Sequence, residues 1–536
     1  MIKKVYGIAE KNFNKFIKLN KKTINYHKNN KHLMLVDRGR FLSGFNNMMV
    51  VIALNKTFKL NPIIITDFRN PFFYQFYKSF GVTKFKIGFK YFLVTKKINI
   101  FLKSLIKLLE TIYFLKKKNF NWLINEFNIE NIKIGDLVYD TYIRVNHNYI
   151  NPQIDLTFTN FLFKAIFRTY NLIDYLNKYP ANFMLIGTSA YSHNEGIALR
   201  VALKKNIKVL EAQPHQLIIF KSNMKKFGID NLKENFYKIG KNNNQKLVKI
   251  NSFLKKRKRG EVKSYYQGSA IYAKANKFKN KINKTQLLKK MNITDKHFKK
   301  IILIAAHAFS DNPHGNGKII FRDYYSHLKE TLEFISTKKE LLSTLWIVKP
   351  HPWSDKYDEV GIAKKLIHKF LSKNIKICPA QVNAKDLLDI CDNVVTVKGS
   401  IGIEFACEGK KPILAGYAAY SGLGFTLDSK NKNEYFQHIK NVNNIKPLPK
   451  KKINEAKKTF YILENKINHF SIKRSNIVVQ EAFSQSNKSR KSKKAFDHDS
   501  PEKNLFSDQF IKNLEKIKFE NDTYYKDVLK KIKNIK

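Results

Sequence analysis

Short apolar runs separated by longer polar, helix-patterned stretches recur in two blocks of the chain, and each run breaks off in a loop of glycine, hydroxyl or charged residues. The first block opens at His32-Leu33-Met34-Leu35-Val36, which ends in Asp37-Arg38-Gly39-Arg40. The apolar segment from Met48 to Leu54 then reads as a helix and Pro62-Ile63-Ile64-Ile65-Thr66-Asp67 as the next strand. A spacing of about thirty residues suits a right-handed βαβ crossover. Met184-Leu185-Ile186-Gly187 and Ile207-Lys208-Val209-Leu210 are further strands. The first leads through Thr188 to Gly196 into a helix reaching Arg200, the second into a loop, Glu211-Ala212-Gln213-Pro214-His215-Gln216. The second block begins at Lys300-Ile301-Ile302-Leu303-Ile304-Ala305-Ala306, continues with a helix from Asp323 to Ile335, and holds strands ending at Val348, Cys378, Val397 and Ala415. Two Rossmann-like parallel-sheet halves are expected, an α/β fold.

The same pattern sets expected boundaries. Residues 1–220 form the first half and 299–440 the second, while 221–298 is lysine-rich, helical and poorly periodic and reads as a linker region. After 427 the strand pattern stops. Residues 430–474 read as helical, 484–503 as disordered and 504–536 as a basic amphipathic helix, so 441–536 is expected to be a helical and partly disordered basic tail. A second basic amphipathic helix is expected over 92–118, where Ile98, Phe101, Leu105, Leu108, Leu109, Ile112 and Leu115 lie among lysines; it suits an anionic membrane surface or an ordinary solvated face.

The loops at the strand ends carry the candidate chemistry. Trp346-Ile347-Val348 runs into Lys349-Pro350-His351-Pro352, where two prolines hold one imidazole and one ammonium in nearly fixed places, an arrangement suited to a phosphate. Asn393-Val394-Val395-Thr396-Val397 runs into Lys398-Gly399-Ser400-Ile401-Gly402-Ile403-Glu404. There backbone N–H groups at a helix start face an anion and Glu404, one turn in, reaches toward ribose hydroxyls. Pro412-Ile413-Leu414-Ala415 leads into a glycine-rich loop through Thr426. Three such strand ends are what a nucleotide site at the carboxyl edge of a parallel sheet requires. Transfer to an acceptor also needs a carboxylate, as base or as nucleophile. Glu195 ranks first, with Asp311, Asp37 and Asp140 behind it; the bland readings are a helix cap for Asp37 and an exposed first-turn acid for Glu195. No DxD-like metal motif is placed, so no metal ligands are expected and the phosphate load falls on Lys349, His351 and the helix start at Ser400.

Composition changes the picture in two ways. The net charge of +58 comes from 100 Lys plus Arg against 42 Asp plus Glu. It reads either as drift in an Asn-, Ile- and Lys-rich chain or as attraction to an anionic membrane, acidic nucleotide and glycan substrates, or nucleic acid. Basic residues spread over the whole chain with no RRM, KH, zinc-finger or helix-turn-helix signature, which makes nucleic acid the weakest of these. The three cysteines, Cys378, Cys391 and Cys407, sit in or beside apolar segments without metal spacing and read as buried thiols of a reducing compartment. Met1-Ile2-Lys3-Lys4-Val5-Tyr6 lacks the apolar stretch of a signal peptide, and no window reaches the ~18 apolar residues of a spanning helix. A cytoplasmic chain, with a peripheral place on the inner face of the plasma membrane, is expected.

The second block also resembles the bacterial capsule polysaccharide biosynthesis family, including Kdo-transferase-like GT-B glycosyltransferases. The resemblance rests on Ala306-His307-Ala308-Phe309-Ser310-Asp311, Asp323-Tyr324-Tyr325, Lys349-Pro350-His351-Pro352, Gly399-Ser400-Ile401-Gly402-Ile403-Glu404 and Tyr420-Ser421-Gly422-Leu423-Gly424-Phe425-Thr426. It implies a GT-B-like pair of domains facing a cleft, with a nucleotide sugar on the second and a glycan or glycolipid acceptor on the first. It implies donor-binding roles for His307, Ser310, Lys349, His351, Pro352, Gly399, Ser400 and Glu404. No cofactor is implied; the nucleotide sugar, CMP-linked among the alternatives, is a substrate. The implied function is transfer of a sugar to a capsular or lipopolysaccharide-type polysaccharide. Alternatives are a polyol-phosphate transferase, a sugar-nucleotide epimerase of the same fold, or a non-catalytic scaffold for polyanions or membranes.

Overall fold

The computed structural model describes residues 10–20, 23–36, 41–66, 71–87, 98–187, 191, 195–213, 216–220, 244–258, 281–293, 298–315, 317–355, 357–370, 372–465, 508–516 and 519–535. The chain divides into two compact units. The first comprises Met1–Tyr142, Gln153–Lys225 and His469–Lys536, the second Ile143–Pro152 and Lys226–Asn468.

The first unit begins with α1 (Glu10–Asn20), β1 (His32–Val36), α2 (Phe41–Phe58), β2 (Asn61–Thr66), α3 (Pro71–Ser79) and β3 (Lys84–Ile87). It continues with α4 (Ile98–Glu126), a small hairpin of β4 (Asn128–Ile129) and β5 (Ile132–Lys133), α5 (Gly135–Asn146), within which the division between units falls, and α6 (Leu156–Lys178). Then come β6 (Phe183–Ile186), α7 (Gly196–Lys204), β7 (Lys208–Gln213) and β8 (Gln216–Phe220). The six-stranded sheet has the order β3-β2-β1-β6-β7-β8. Its neighbours run parallel except β7 and β8, which pair antiparallel with Gln213 opposite Gln216. The stretch from Glu211 expected as a loop is therefore mostly strand: Glu211 pairs with Ile218 and Ala212 with Leu217.

Helix α2 is apolar on every side, and its residues from Met48 to Leu54 are fully buried. Such a helix needs partners all round. Sheet residues Leu33, Leu35 and Ile64 cover one side, and Phe13 and Phe16 of α1 join the same core. Residues from the far end of the chain complete it: Ile511 and Leu514 of the helix Asp508–Lys516, and Tyr524, Tyr525, Val528 and Ile532 of the helix Thr523–Ile532. The expected basic tail is thus divided: Lys450–Asn465 belongs to the second unit, 484–503 lies outside the described residues, and the single helix expected over 504–536 is two helices whose apolar residues are buried in the first core. No helix among the described residues is long and apolar enough to cross a membrane.

The second unit holds α8 (Asn244–Lys258), α9 (Lys284–Lys290), β9 (Lys300–Ala305), α10 (Tyr324–Thr337), β10 (Thr344–Lys349), α11 (Ile362–His368), β11 (Ile375–Ile377) and α12 (Ala384–Ile390). There follow β12 (Asn393–Thr396), α13 (Ile401–Cys407), β13 (Ile413–Leu414), β14 (Leu427–Asp428), α14 (Lys432–Lys440) and α15 (Lys450–Asn465). This sheet is parallel throughout, in the order β11-β10-β9-β12-β13-β14. β14 is a sixth strand at the point where the pattern was expected to end, because two residues are too short to show a period. The expected linker region is in part structural. Leu287 and Leu288 of α9 join Ile301, Leu303, Leu345 and Ile347 in the core, and Phe253 of α8 packs edge-on against Phe460 of α15 at 6.4 Å.

Two Rossmann-like α/β units make this the GT-B-like class. In each sheet the chain winds outward from a central strand in both directions, so strand order reverses beside β1 in the first unit and beside β9 in the second. Loops leaving the two central strands diverge there and open a crevice at the carboxyl edge.

Candidate functional site

In the second unit the reversal lies between β9 and β12, and His307 leaves the end of β9 at that point. Its ring stacks on Tyr324 (4.2 Å between centroids, 11° between planes), and its Nε2 accepts from the Lys398 backbone N–H at 3.4 Å and lies 3.3 Å from the Thr396 hydroxyl. Burial, aided by the fields of His351, Lys398 and His327, holds this imidazole well below its ordinary pKa. It is neutral, with its hydrogen on Nδ1. A β-carbon on Gly399 would lie 3.5 Å from the same ring. His307 therefore joins the loop after β9 to the glycine turn after β12.

His351 follows β10, so it stands at the same carboxyl edge. Its Nδ1 accepts from the Trp353 N–H at 3.3 Å, which places the hydrogen of the neutral ring on Nε2. Burial lowers its pKa and Asp311 partly restores it. His351 thus offers a donor hydrogen rather than a standing charge. Pro352 is exposed and opens the turn that carries Trp353. Lys349 lies at the β10 end, but its ammonium donates to the Val382 carbonyl at 2.7 Å and approaches Cys378 Sγ at 3.9 Å. Lys398 is likewise held, donating to the Pro313 carbonyl at 2.7 Å and the Gly317 carbonyl at 3.2 Å.

The turn after β12 is shaped from below. Ser400 is exposed at the start of α13 and makes no side-chain cap; Glu404 is half-buried in its first turn. Under them the buried Tyr420 hydroxyl donates to the Gly399 carbonyl. That approach is open only because residue 402 is glycine: a β-carbon there would stand 2.3 Å from the Tyr420 oxygen. Gly402→Ala should push Tyr420 aside and cost about 1–3 kcal/mol. An unchanged unfolding midpoint in this variant would refute that account of the turn.

Ser310 and Asp311 are set by residues the sequence did not single out. The Glu359 carboxylate accepts from the Phe309 N–H (2.8 Å), the Ser310 N–H (2.9 Å) and the Ser310 hydroxyl (2.9 Å), clamping the loop after β9. The Tyr357 hydroxyl hydrogen-bonds Asp311, and the Arg144 guanidinium lies over the Tyr357 ring at 4.1 Å. Tyr149 packs on Phe309 and Tyr325. Ser310 is fully buried, so it shapes the loop. Burial pushes the Glu359 pKa up to about 7 against the pull of its donors and of Arg144. A carboxyl raised in the folded state binds its proton more tightly there than in the unfolded chain. Its contribution is full below the ordinary 4.5 and is lost as pH rises toward about 7. Unfolding free energy measured by denaturant titration should fall across that interval more steeply in the wild type than in Glu359→Gln. The glutamine should also cost ~1–3 kcal/mol at neutral pH, since its amide turns a donor toward donors. Parallel pH curves for the two proteins would remove Glu359 from this role.

The remaining candidates belong to the first unit. Glu195 follows β6, at that unit's own reversal point, and immediately precedes α7; it is buried, so the exposed first-turn alternative does not hold. α7 is fixed by Arg200, which pairs with Asp136 of α5 (2.8 Å from Nη2 to Oδ2) and donates to the Lys133 carbonyl at 2.7 Å. Asp140 lies within α5, and it is buried. Asp37 lies outside the described residues. Glu359, Tyr357 and Arg144 went unnoticed because a single acid, phenol or guanidinium has no periodic signal, and Arg144 joins the second unit from a distant part of the sequence.

Residues 221–468 match the family model described as capsule polysaccharide biosynthesis protein, which covers the whole of this second-unit cluster apart from the 143–152 segment. The resemblance read from the motifs is borne out over that part of the chain. The sequence has no significant match among curated proteins. Among solved structures, the chain is similar to Thermosulfurimonas dismutans KpsC, beta Kdo 2,4 transferase, at 16% identity and a TM-score of 0.32, covering 53% of this chain and 80% of that one. It is also similar to a glycosyltransferase from Rickettsia africae ESF-5 (15% identity, TM-score 0.27, 82% and 96% covered). A third is S. aureus MnaA with UDP (12% identity, TM-score 0.23, 80% and 91% covered). Such values mark a coarse likeness, and the functional reading rests on the family match and the site itself.

Proposed function

We propose that this protein is a glycosyltransferase that moves a sugar from a nucleotide-sugar donor to a capsular or lipopolysaccharide-type polysaccharide. The observation that supports it most is the gathering of His307, His351 and the Gly399–Ser400 turn at the carboxyl edge of a parallel sheet, beside the strand-order reversal, inside the segment that matches the capsule family. In this reading the His351 Nε2–H and backbone N–H groups of the turn bind the donor phosphate, and Glu404 binds the ribose. Lys349 and Lys398 hold neighbouring loops in shape, and their field favours the leaving nucleotide. A carboxylate takes the proton of the acceptor hydroxyl as the glycosidic bond forms; Glu195 is the first-unit candidate and Asp311 the second-unit one. The stabilising donors all come from the protein, so the transfer is proposed to proceed without a metal.

The test incubates the purified protein with CMP-, UDP- and GDP-linked sugars and an oligosaccharide acceptor, with and without a chelator, and weighs the products. A product heavier by one sugar supports the proposal. Free sugar without acceptor product would indicate a hydrolase or epimerase, and nucleotide binding without turnover a scaffold.

A further inference from the structure

Helix α4 in the first unit carries apolar residues on two faces, one buried and one in solvent. A surface helix normally buries its apolar face and wets its polar one. Over its first turns α4 buries Ser104 and Thr111, whose hydroxyls are returned to the helix by bonds of 2.6 Å to the Ile100 and Lys107 carbonyls, together with Leu108 and Leu115. Its exposed face carries Ile98, Leu102, Leu105, Ile106, Leu109 and Tyr113, with Ile106 68% and Leu109 61% accessible. Those positions follow i, i+4, i+7, i+8, i+11 and i+15, so they form one continuous stripe rather than scattered surface residues.

Charge says what covers the stripe. Lys116, Lys117 and Lys118 are exposed at its far end and make no ion pair with a described residue, and Lys96 and Lys97 precede Ile98 in the sequence. Lys117 leans on Tyr113 and Lys118 lies over Phe114 at 5.7 Å, so the ammonium groups sit beside the aromatic end of the apolar face. Lys103 and Lys107 farther round are paired with Glu130 and Glu110. An apolar stripe bordered by lysines is the form of a helix that lies in the headgroup plane of an anionic bilayer. In the other segment expected to be a basic amphipathic helix, 504–536, Thr523–Ile532 has its apolar residues buried in the first core and cannot serve this way.

We infer that α4 is a membrane-docking helix that seats the Ile98–Tyr113 stripe in an anionic lipid surface. This does not depend on the glycosyltransferase reading: a chain that fails the transfer assay should still bind vesicles. The experiment is flotation of the full chain with vesicles of phosphatidylcholine alone and of phosphatidylcholine mixed with phosphatidylglycerol. The protein should float with the anionic vesicles, and binding should weaken as salt shortens the Debye length. Ile106→Ser with Leu109→Ser should lower partitioning about a hundredfold, with the melting temperature unchanged because both side chains face solvent. Replacing Lys116, Lys117 and Lys118 by Gln should lower it about fivefold per lysine at low salt. No flotation, or equal flotation of the serine variant and the wild type, overturns the inference. So does a wild-type dimer that the serine variant resolves to monomer, which would assign the stripe to a second copy of the chain.

Discussion

Replacing His351 by alanine should reduce sugar transfer by roughly 10²–10³-fold while shifting stability by no more than ~0.5–1 kcal/mol. The two expectations separate because of where the ring sits. It stands in the loop after β10, half-buried and outside the apolar core of that sheet, with one nitrogen engaged by the Trp353 N–H and its ring edge-on to Tyr357 at 6.3 Å. Its other nitrogen carries the hydrogen that the proposed phosphate contact uses. If transfer survives in His351→Ala, or if activity and melting temperature fall together, the ring is structural and the donor site lies elsewhere. A donor-nucleotide titration on the same variant refines the result. A higher dissociation constant with modest loss of turnover assigns His351 to ground-state binding, and an unchanged constant with lost turnover assigns it to the leaving group.

A chain ended at residue 507 should fail to fold its first unit. The cut removes Ile511, Leu514, Tyr524, Tyr525, Val528 and Ile532 from the core around α2. At ~1.5–3 kcal/mol for each large buried side chain the loss is on the order of 10 kcal/mol, comparable to the whole stability of a domain. It also removes two polar ties, Asp508 to Asn12 at 2.7 Å and Glu520 to Lys56 at 2.8 Å. Tyr524→Ala is the milder form, expected to cost about 3–5 kcal/mol. Limited proteolysis and calorimetry should show the early cleavage and the lost transition. A truncated chain that melts with the full-length profile would mean that these helices merely rest on the surface.

Several features were legible in the sequence for simple reasons. Strands such as Lys300–Ala305 and Thr344–Lys349 are continuous apolar runs because a central parallel strand is buried on both faces, and the loops after them are polar because they reach the sheet edge. Proline and glycine mark Lys349-Pro350-His351-Pro352 and Gly399-Ser400-Ile401-Gly402 because backbone geometry leaves few alternatives there. Helix α10 begins where Asp323 suggested, since that side chain caps the Ser326 N–H at 2.7 Å.

What the chain determines by itself is therefore local: which segments are strands, where they end, and which loops hold phosphate-suited residues, all set by periodicity and backbone preference over a few neighbours. The tertiary structure decided the rest. That Lys349 turns to Val382 while Glu359 clamps Ser310, that Arg144 reaches Tyr357, and that Glu195 is buried are contacts between residues far apart in sequence, each too specific to leave a period. The two basic amphipathic helices show the division most clearly. Their patterns are alike in sequence, yet Thr523–Ile532 has its apolar residues in the first core and α4 keeps the stripe from Ile98 to Tyr113 in solvent. Periodicity tells which residues share a face, but what lies opposite that face is set by how the remaining chain packs.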